Sequence, residues 1–501
     1  MEGQLQRAPS IKRNYLYQSA YQLLLILVPL VTTPYLSRVL GAEQVGVYSY
    51  TYSVTNYFVM FATLGMSTYG VREIAACGSD RGARTKAFWD MYGSQLAVGV
   101  IVAVAYGLYA LTNPRGGAIV TLVWGMWVLS ALLDISWLFF GVQEFRMPTM
   151  RSMVTKLLSM VVIFAFVKSR DDLWVYCAAI AGSFLANQVL LWPFLCRYVG
   201  VRRPTLSGMR YHLGPNLRLF IPVIAISFYV TLDKIILGVM TDMEQVGYLE
   251  YSEKLSRMPM ALVTAMGTVM LPRMTAELSA GRRREARSLL ESSIWAMLAM
   301  AFAMSFGIMG IAHEFAPIFL GGEFANCDIL MCIFALIIPV VSTTNVLGRQ
   351  YLLPTNRDNM FTISVCIGAV VNVCVNLVLV PLLAATGAAI ATVCAETSVL
   401  LVQIGVTRKE LPLALYVKNA VPYAVIGAIT TAIIRLVAGL SYGMWGLSVR
   451  QLVLEVLVGA VAYVAMAAAW CLVTKDPHAM PFARGIAERL GRKFPSRPKG
   501  T

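Results

Sequence analysis

The chain holds 501 residues, 58% hydrophobic and 13% charged, against about a quarter charged in ordinary soluble proteins. Its mean hydropathy is +0.68, and the apolar excess comes in runs of 20 or more residues, about what a helix needs to cross bilayer hydrocarbon. Soluble enzymes are excluded, and so is nucleic-acid binding despite the net charge of +15. The chain reads as an all-α polytopic membrane protein.

In chain order, hydropathy gives fourteen candidate helices near 14–38, 45–70, 87–111, 117–141, 150–167, 173–196, 216–240, 245–271, 288–311, 327–348, 360–381, 385–407, 416–439 and 451–474. The fifth is short and polar at both edges. The first follows Arg7, Lys12 and Arg13 with no small-residue cleavage site, so it is expected to stay as an anchor. With both termini inside, 32 of the 41 Lys and Arg fall on the cytoplasmic side, 6 outside and 3 within spans. That bias places the termini in the cytoplasm. The longest polar stretches, 198–215, 272–287 and 475–501, are too short for a catalytic domain.

The nine cysteines lie mostly in apolar runs (Cys177, Cys332, Cys366, Cys374, Cys394, Cys471), which suits neither a disulfide framework nor a metal site. His212, His313 and His478 fall in predicted loops. No metal and no cofactor is expected. Gly439-Leu440-Ser441-Tyr442-Gly443 matches a hydrolase nucleophile pattern, but it falls in a predicted loop between membrane helices and lacks the strand–turn–helix context that chemistry requires. No phosphate-binding loop of the Gly-x4-Gly-Lys-Ser/Thr type occurs.

Three short tags recur in the same order. Leu40-Gly41 returns as Leu237-Gly238, 197 residues on; Glu43-Gln44-Val45-Gly46 returns as Glu244-Gln245-Val246-Gly247, 201 on. Pro148-Thr149-x-Arg151 returns as Pro354-Thr355-x-Arg357, 206 on. The repeat holds six helices, an even number, so the copies share one orientation. The expected organisation is a tail 1–13, an N-lobe 14–197, a cytoplasmic linker 198–215, a C-lobe 216–408, appended helices 13 and 14 over 409–475, and a basic tail 476–501. Within that tail, 481–494 has the pattern of a basic amphipathic helix on a membrane surface. Pro29 and Pro34 in helix 1 and Pro222 in helix 7 are expected to bend the first helix of each lobe.

Ionisable groups inside spans are functional candidates, since each costs about 2.5–3.5 kcal/mol at a lipid-exposed helix centre. Asp233 and Lys234 in helix 7 sit near Glu250, Glu253, Lys254 and Arg257 in helix 8. Glu250, Lys254 and Arg257 share one helical face. Two readings fit: a hydrated chamber whose cations hold a phosphate-bearing headgroup, or structural pairing of Glu250 with Lys254 and Glu253 with Arg257. Asp134 in helix 4 and Glu396 in helix 12 read either as ion-coupling sites or as interhelical polar contacts.

Tyr35-Leu36-Ser37-Arg38-Val39-Leu40-Gly41, Tyr69-Gly70-Val71-Arg72-Glu73-Ile74-Ala75, and Asp134-Ile135-Ser136-Trp137 through Gly141-Val142-Gln143-Glu144-Phe145 resemble the O-antigen and capsule repeat-unit flippases. So do Gln350-Tyr351-Leu352-Leu353-Pro354 and Gly387 to Glu396. These form the polysaccharide transporter branch of the multidrug/oligosaccharidyl-lipid/polysaccharide flippase superfamily. The resemblance spans about residues 10–475. It implies two six-helix lobes around a cavity lined by helices 1, 2, 7 and 8, and movement of an undecaprenyl-pyrophosphate-linked oligosaccharide from the inner to the outer leaflet of a bacterial cytoplasmic membrane. Substrate binding then falls to Arg38, Lys234, Glu250, Lys254 and Arg257, and coupling to a proton or sodium ion to Asp134, Asp233 or Glu396. Expected partners are the lipid-linked substrate, membrane lipids, and a polysaccharide polymerase or ligase. Gln143 departs from the family pattern, where an acid beside Glu144 is expected. The competing readings are a cation-coupled multidrug exporter or lipid II flippase of the same superfamily, and a membrane glycosyltransferase, polymerase or ligase.

Overall fold

The computed structural model describes residues 11–112 and 116–474. The expected tail helix 481–494, and with it His478, lies outside the described residues. All secondary structure in the described residues is helical, and fourteen long helices match the fourteen expected spans. We number them α1 (11–40), α2 (42–63), α3 (Arg81–Thr112), α4 (Ala118–Gly141), α5 (Arg146–Phe166), α6 (Arg170–Arg197), α7 (Leu206–Met240) and α8 (243–279). α9 (Arg283–Leu320), α10 (Cys327–Leu352), α11 (358–383), α12 (385–407), α13 (Leu413–Trp445) and α14 (Val449–Thr474) follow. Nine helical segments among the described residues are long and apolar enough to cross a membrane. Large apolar side chains such as Ile101, Leu108, Leu382 and Val461 stand exposed, as lipid-facing positions do. The chain is a multi-pass membrane protein.

Several helices run further than the apolar runs that announce them, because turns beyond the hydrocarbon keep their backbone bonds and carry polar side chains in water. α7 begins at Leu206, where Thr205 accepts a hydrogen bond from Gly208 N. His212 and His313 therefore sit in helices α7 and α9 rather than in loops. The Gly439–Gly443 segment likewise lies inside α13, which removes the exposed turn a nucleophile needs. Pro29 and Pro34 stand within α1, and the backbone leaves helical geometry only at Gly41 (φ 77°, ψ 173°), a conformation suited to glycine. The side chain of Pro222 lies outside the described side chains. All nine cysteines are free thiols.

The chain divides into two compact units, one of residues 1–250 with 380–385, the other of 251–379 with 386–501. In the first, Phe88, Met91, Trp137, Phe139 and Leu191 form a buried cluster near one end of α3 and α4. Asp90, 1% exposed, clamps the start of α7: its Oδ1 accepts from Thr205 N at 2.7 Å and Thr205 Oγ1 at 3.0 Å.

The same unit shows what the repeated tags do. Gly46 of the first Glu-Gln-Val-Gly and Gly247 of the second bring α2 and the start of α8 into backbone contact. A Cβ on Gly46 would stand 1.6 Å from Met243 O, and one on Gly247 would stand 2.0 Å from Ala42 O. The two contacts mirror each other (42 against 247, 243 against 46), the close approach that small residues permit between membrane helices. Val45 and Val246 are buried alongside. One turn on, Ser49 and Glu250, also related by 201 residues, share a hydrogen bond of 2.8 Å.

In the second unit, Val263, Met274, Leu290, Met297, Val346 and Leu347 form the core. α13 and α14 pack on α9: Thr431 Oγ1 donates to Phe306 O at 2.7 Å and the Tyr463 hydroxyl to Ala299 O at 2.6 Å. Arg435 reaches the buried carboxylate of Glu314 at 2.6 Å.

Candidate functional site

The charged residues of α7 and α8 divide between the two units at Glu250. In the first unit, Lys234 Nζ lies 2.5 Å from Glu250 Oε2, each side chain 16% exposed. Ser49 donates to the same oxygen. Neither charge could stay in so enclosed a place alone, since an unpaired ion there costs several kcal/mol. Asp233, one residue before Lys234, is buried and lies in electrostatic range of Tyr57, whose hydroxyl donates to Ser227 O at 3.1 Å. Arg38 Nη1 donates back to Pro34 O at 2.8 Å near the end of α1.

Tyr48, Tyr52 and Tyr176 lie within electrostatic range of Glu250. Tyr48 meets Tyr176 at 4.6 Å between ring centroids, and Tyr52 stacks on Trp127 at 4.7 Å. This aromatic shelf was not singled out in the sequence, although Tyr48 and Tyr52 stand one helical turn apart.

In the second unit, Arg257 is held between two carboxylates: Glu253 Oε1 at 2.9 Å, one turn earlier on α8, and Glu396 Oε1 on α12 at 4.0 Å. Glu396 is 6% exposed and faces the arginine across a helix–helix contact, while the small residues Ala388, Ala389, Ala391 and Ala395 are buried on the same helix. Lys254 sits over the Tyr251 ring, 5.6 Å from its centroid. The expected pair of Glu253 with Arg257 is present, and Glu250 is engaged by Lys234 from α7.

Asp134 stands apart from both groups. Its Oδ1 accepts from Ser136 N at 2.9 Å and Ser136 Oγ at 2.6 Å, closing the turn where α4 breaks at 133–135. Its backbone oxygen accepts from Gln95. Gln143 occupies a left-handed conformation (φ 61°) in the turn between α4 and α5, and Asn356 (φ 58°) does the same between α10 and α11. Among the described residues, no group of three or more His, Cys, Asp or Glu side chains could hold a metal ion. Sequence reasoning passed over a further set, the buried acids Glu314 and Glu455 with the more exposed Arg435. Their charges fall near the ends of helices α9, α13 and α14, where hydropathy does not distinguish a buried acid from a wetted one.

The arrangement pairs Lys234 with Glu250 beside tyrosines in the first unit, and Arg257 with Glu253 and Glu396 in the second. A family model described as "Polysaccharide biosynthesis protein" matches residues 11–278, more than half of the chain. The chain belongs to the polysaccharide biosynthesis protein family. The "Putative O-antigen transporter" of Escherichia coli (strain K12) is 25% identical over 404 residues, 78% of this chain and 96% of the relative. Among solved structures, "Lipid II flippase MurJ, inward closed conformation" has a TM-score of 0.76 at 12% identity, covering 92% of this chain and 99% of the other. A multidrug resistance MATE family transporter of the MOP superfamily in an inward-facing conformation gives 0.61 at 14% identity, over 78% of this chain and 95% of the other. These likenesses establish the fold, which this member of the polysaccharide biosynthesis protein family shares with flippases and exporters. The relatives bear the names of transporters rather than enzymes.

Proposed function

We propose that the chain is a flippase that moves a polyprenyl-pyrophosphate-linked oligosaccharide from the cytoplasmic to the outer leaflet of a bacterial inner membrane by alternating access, for surface polysaccharide assembly. The observation that carries the reading is the set of cations inside the expected spans: Lys234 paired with Glu250, Arg257 between Glu253 and Glu396, and Lys254 over the Tyr251 ring. A pyrophosphate offers these cations what the acids now supply, charge-assisted and bidentate hydrogen bonds. Each cation can therefore exchange an internal partner for the substrate without being left bare. In this reading Arg38, Lys234 and Glu250 of the first unit, and Lys254 and Arg257 of the second, are the headgroup-binding candidates.

The same exchange offers a coupling route. A proton or sodium ion on Glu396 weakens its hold on Arg257 and frees that arginine for phosphate; Asp233 is the second such candidate. Asp134, engaged in its own turn, contributes shape to α4 instead. Both termini lie in the cytoplasm, as the distribution of Lys and Arg favours. Enzymes that polymerise or ligate the same lipid-linked unit are the expected partners.

Lipid analysis of a deletion strain tests the reading. Lipid-linked repeat units are expected to accumulate facing the cytoplasm, with surface polysaccharide restored by the wild-type gene and not by Lys254→Ala or Arg257→Ala. Normal surface polysaccharide in the deletion strain, with no redundant transporter, overturns the function. Full complementation by both variants overturns only the headgroup assignment.

A further inference from the structure

The second unit contains a polar cavity that uses none of the residues above. It has a volume of about 670 Å³ and is lined in part by Arg283, Arg287, Tyr351, Thr355, Arg357 and Glu410. It lies where α9 begins and where α10 leads into the Pro354-Thr355-x-Arg357 tag, on the face the charge bias assigns to the cytoplasm. Three arginines thus face one lining carboxylate. Arg357 Nη2 holds Glu410 Oε1 at 2.8 Å, and the Tyr351 hydroxyl donates to Glu410 Oε2 at 2.5 Å. Those two bonds, the arginine first, keep the Glu410 carboxyl below the usual carboxylate range, so it stays charged and fixes Arg357 in the wall. Arg287 Nε bonds Glu291 at 3.1 Å. Arg283 makes no ion pair among the described residues, which leaves the cavity with surplus positive charge.

A second, apolar groove of about 300 Å³ lies further along α9, sharing no lining residue with the polar cavity. On α9 the lining passes from Arg283, Arg287 and Leu290 to Ile294, Leu298 and Phe302 in steps of three or four residues, a single helical face. From Arg287 to Ile294 is about 10 Å along the axis. Tyr416 lines the groove beside Ile294, and its hydroxyl is buried with no hydrogen-bond partner among the described residues. A buried hydroxyl costs free energy until something accepts its proton.

We propose that this unit binds an anionic phospholipid, its phosphate among Arg283, Arg287 and Arg357 and an acyl chain along the Ile294–Phe302 face of α9. The three observations each match one part of such a molecule. Arginine forks recognise the phosphodiester, the Tyr416 hydroxyl meets an ester carbonyl where headgroup gives way to chain, and the groove takes the methylenes. Basic pockets between membrane helices on the cytoplasmic side are suited to such headgroups. The duplicated tag accounts for part of the difference between the repeats: Arg357 lines this cavity, whereas Arg151 of the first copy contacts Gln188 at 3.4 Å.

The test uses the full-length protein in nanodiscs of phosphatidylcholine with and without phosphatidylglycerol, and reads lipid retention by native mass spectrometry. Phosphatidylglycerol is expected to be retained selectively. Retention should fall on the order of tenfold in Arg283→Gln/Arg287→Gln, as two arginines at an anionic surface imply, and about two- to fivefold in Tyr416→Phe. Arg202→Gln/Arg203→Gln removes the same charge from exposed positions in the first unit and should leave retention unchanged. Equal loss in both arginine pairs, or no loss in either, overturns the site. Saturable binding of inorganic phosphate or pyrophosphate in phosphatidylcholine nanodiscs, without selectivity for phosphatidylglycerol, overturns the lipid and assigns the arginines to a free anion.

Discussion

Lys234 and Glu250 illustrate why charge survives at membrane depth in this chain. Their contact at 2.5 Å, with Ser49 on the same oxygen, leaves neither ion bare. Removing one partner strands the other, and a stranded buried charge costs about 3–5 kcal/mol, more than the pair itself contributes. Lys234→Met is therefore expected to lower the thermal unfolding midpoint in detergent sharply. Lys234→Met/Glu250→Met should recover most of that loss while leaving polysaccharide export defective. A double variant no more stable than the single one means that the pair does not hold the structure. The pairing was only half legible beforehand. The i, i+4 spacing of Glu253 and Arg257 on one helix announces their bond, but nothing in the local sequence says that Glu250 is met from α7. Asp134 shows the converse: its environment in the sequence is that of a buried acid, and its carboxylate accepts two hydrogen bonds from Ser136, two residues on.

At the level of helices, hydropathy located all fourteen because each needs about 20 apolar residues and little else of length competes. Its errors lie at the ends, where a helix outlasts its apolar run; His212 in α7 and Ser441 in α13 were misplaced for that reason. The repeated Glu-Gln-Val-Gly tags were visible as a duplication, whereas their purpose needed coordinates. Gly46 and Gly247 sit where α2 and α8 touch backbone to backbone. Since a methyl group at either place would overlap a carbonyl that cannot swing aside, Gly247→Ala should cost at least about 3 kcal/mol, the upper end for overpacking. Gly439→Ala, which has open space around it, should cost almost nothing. Expression level and monodispersity of the two variants compare them directly, and equal behaviour refutes the tight crossing.

Across the whole molecule, α13 and α14 are tied to α9 by specific bonds as well as apolar packing. Glu314 on α9 is 4% exposed, and Arg435 on α13 is its ion-pair partner. Arg435→Gln leaves that buried acid uncompensated, and because the arginine itself is partly exposed the cost is smaller than the roughly 3–5 kcal/mol of a fully buried pair. Proteolysis in the 408–412 connection should then quicken, and Glu314→Gln in the same chain should restore resistance. Unchanged cleavage in Arg435→Gln means that the ion pair does not fasten α13.

The mirrored glycine contact also has a consequence for polarity. When residues 42 and 247 meet as 243 and 46 do, the joint has the self-complementary form of a two-fold dimer. Two identical partners meeting this way would place one residue type at both 49 and 250. Within one chain the two positions differ, a hydroxyl at 49 and an acid at 250, so the joint carries a polarity that no symmetric pair could possess.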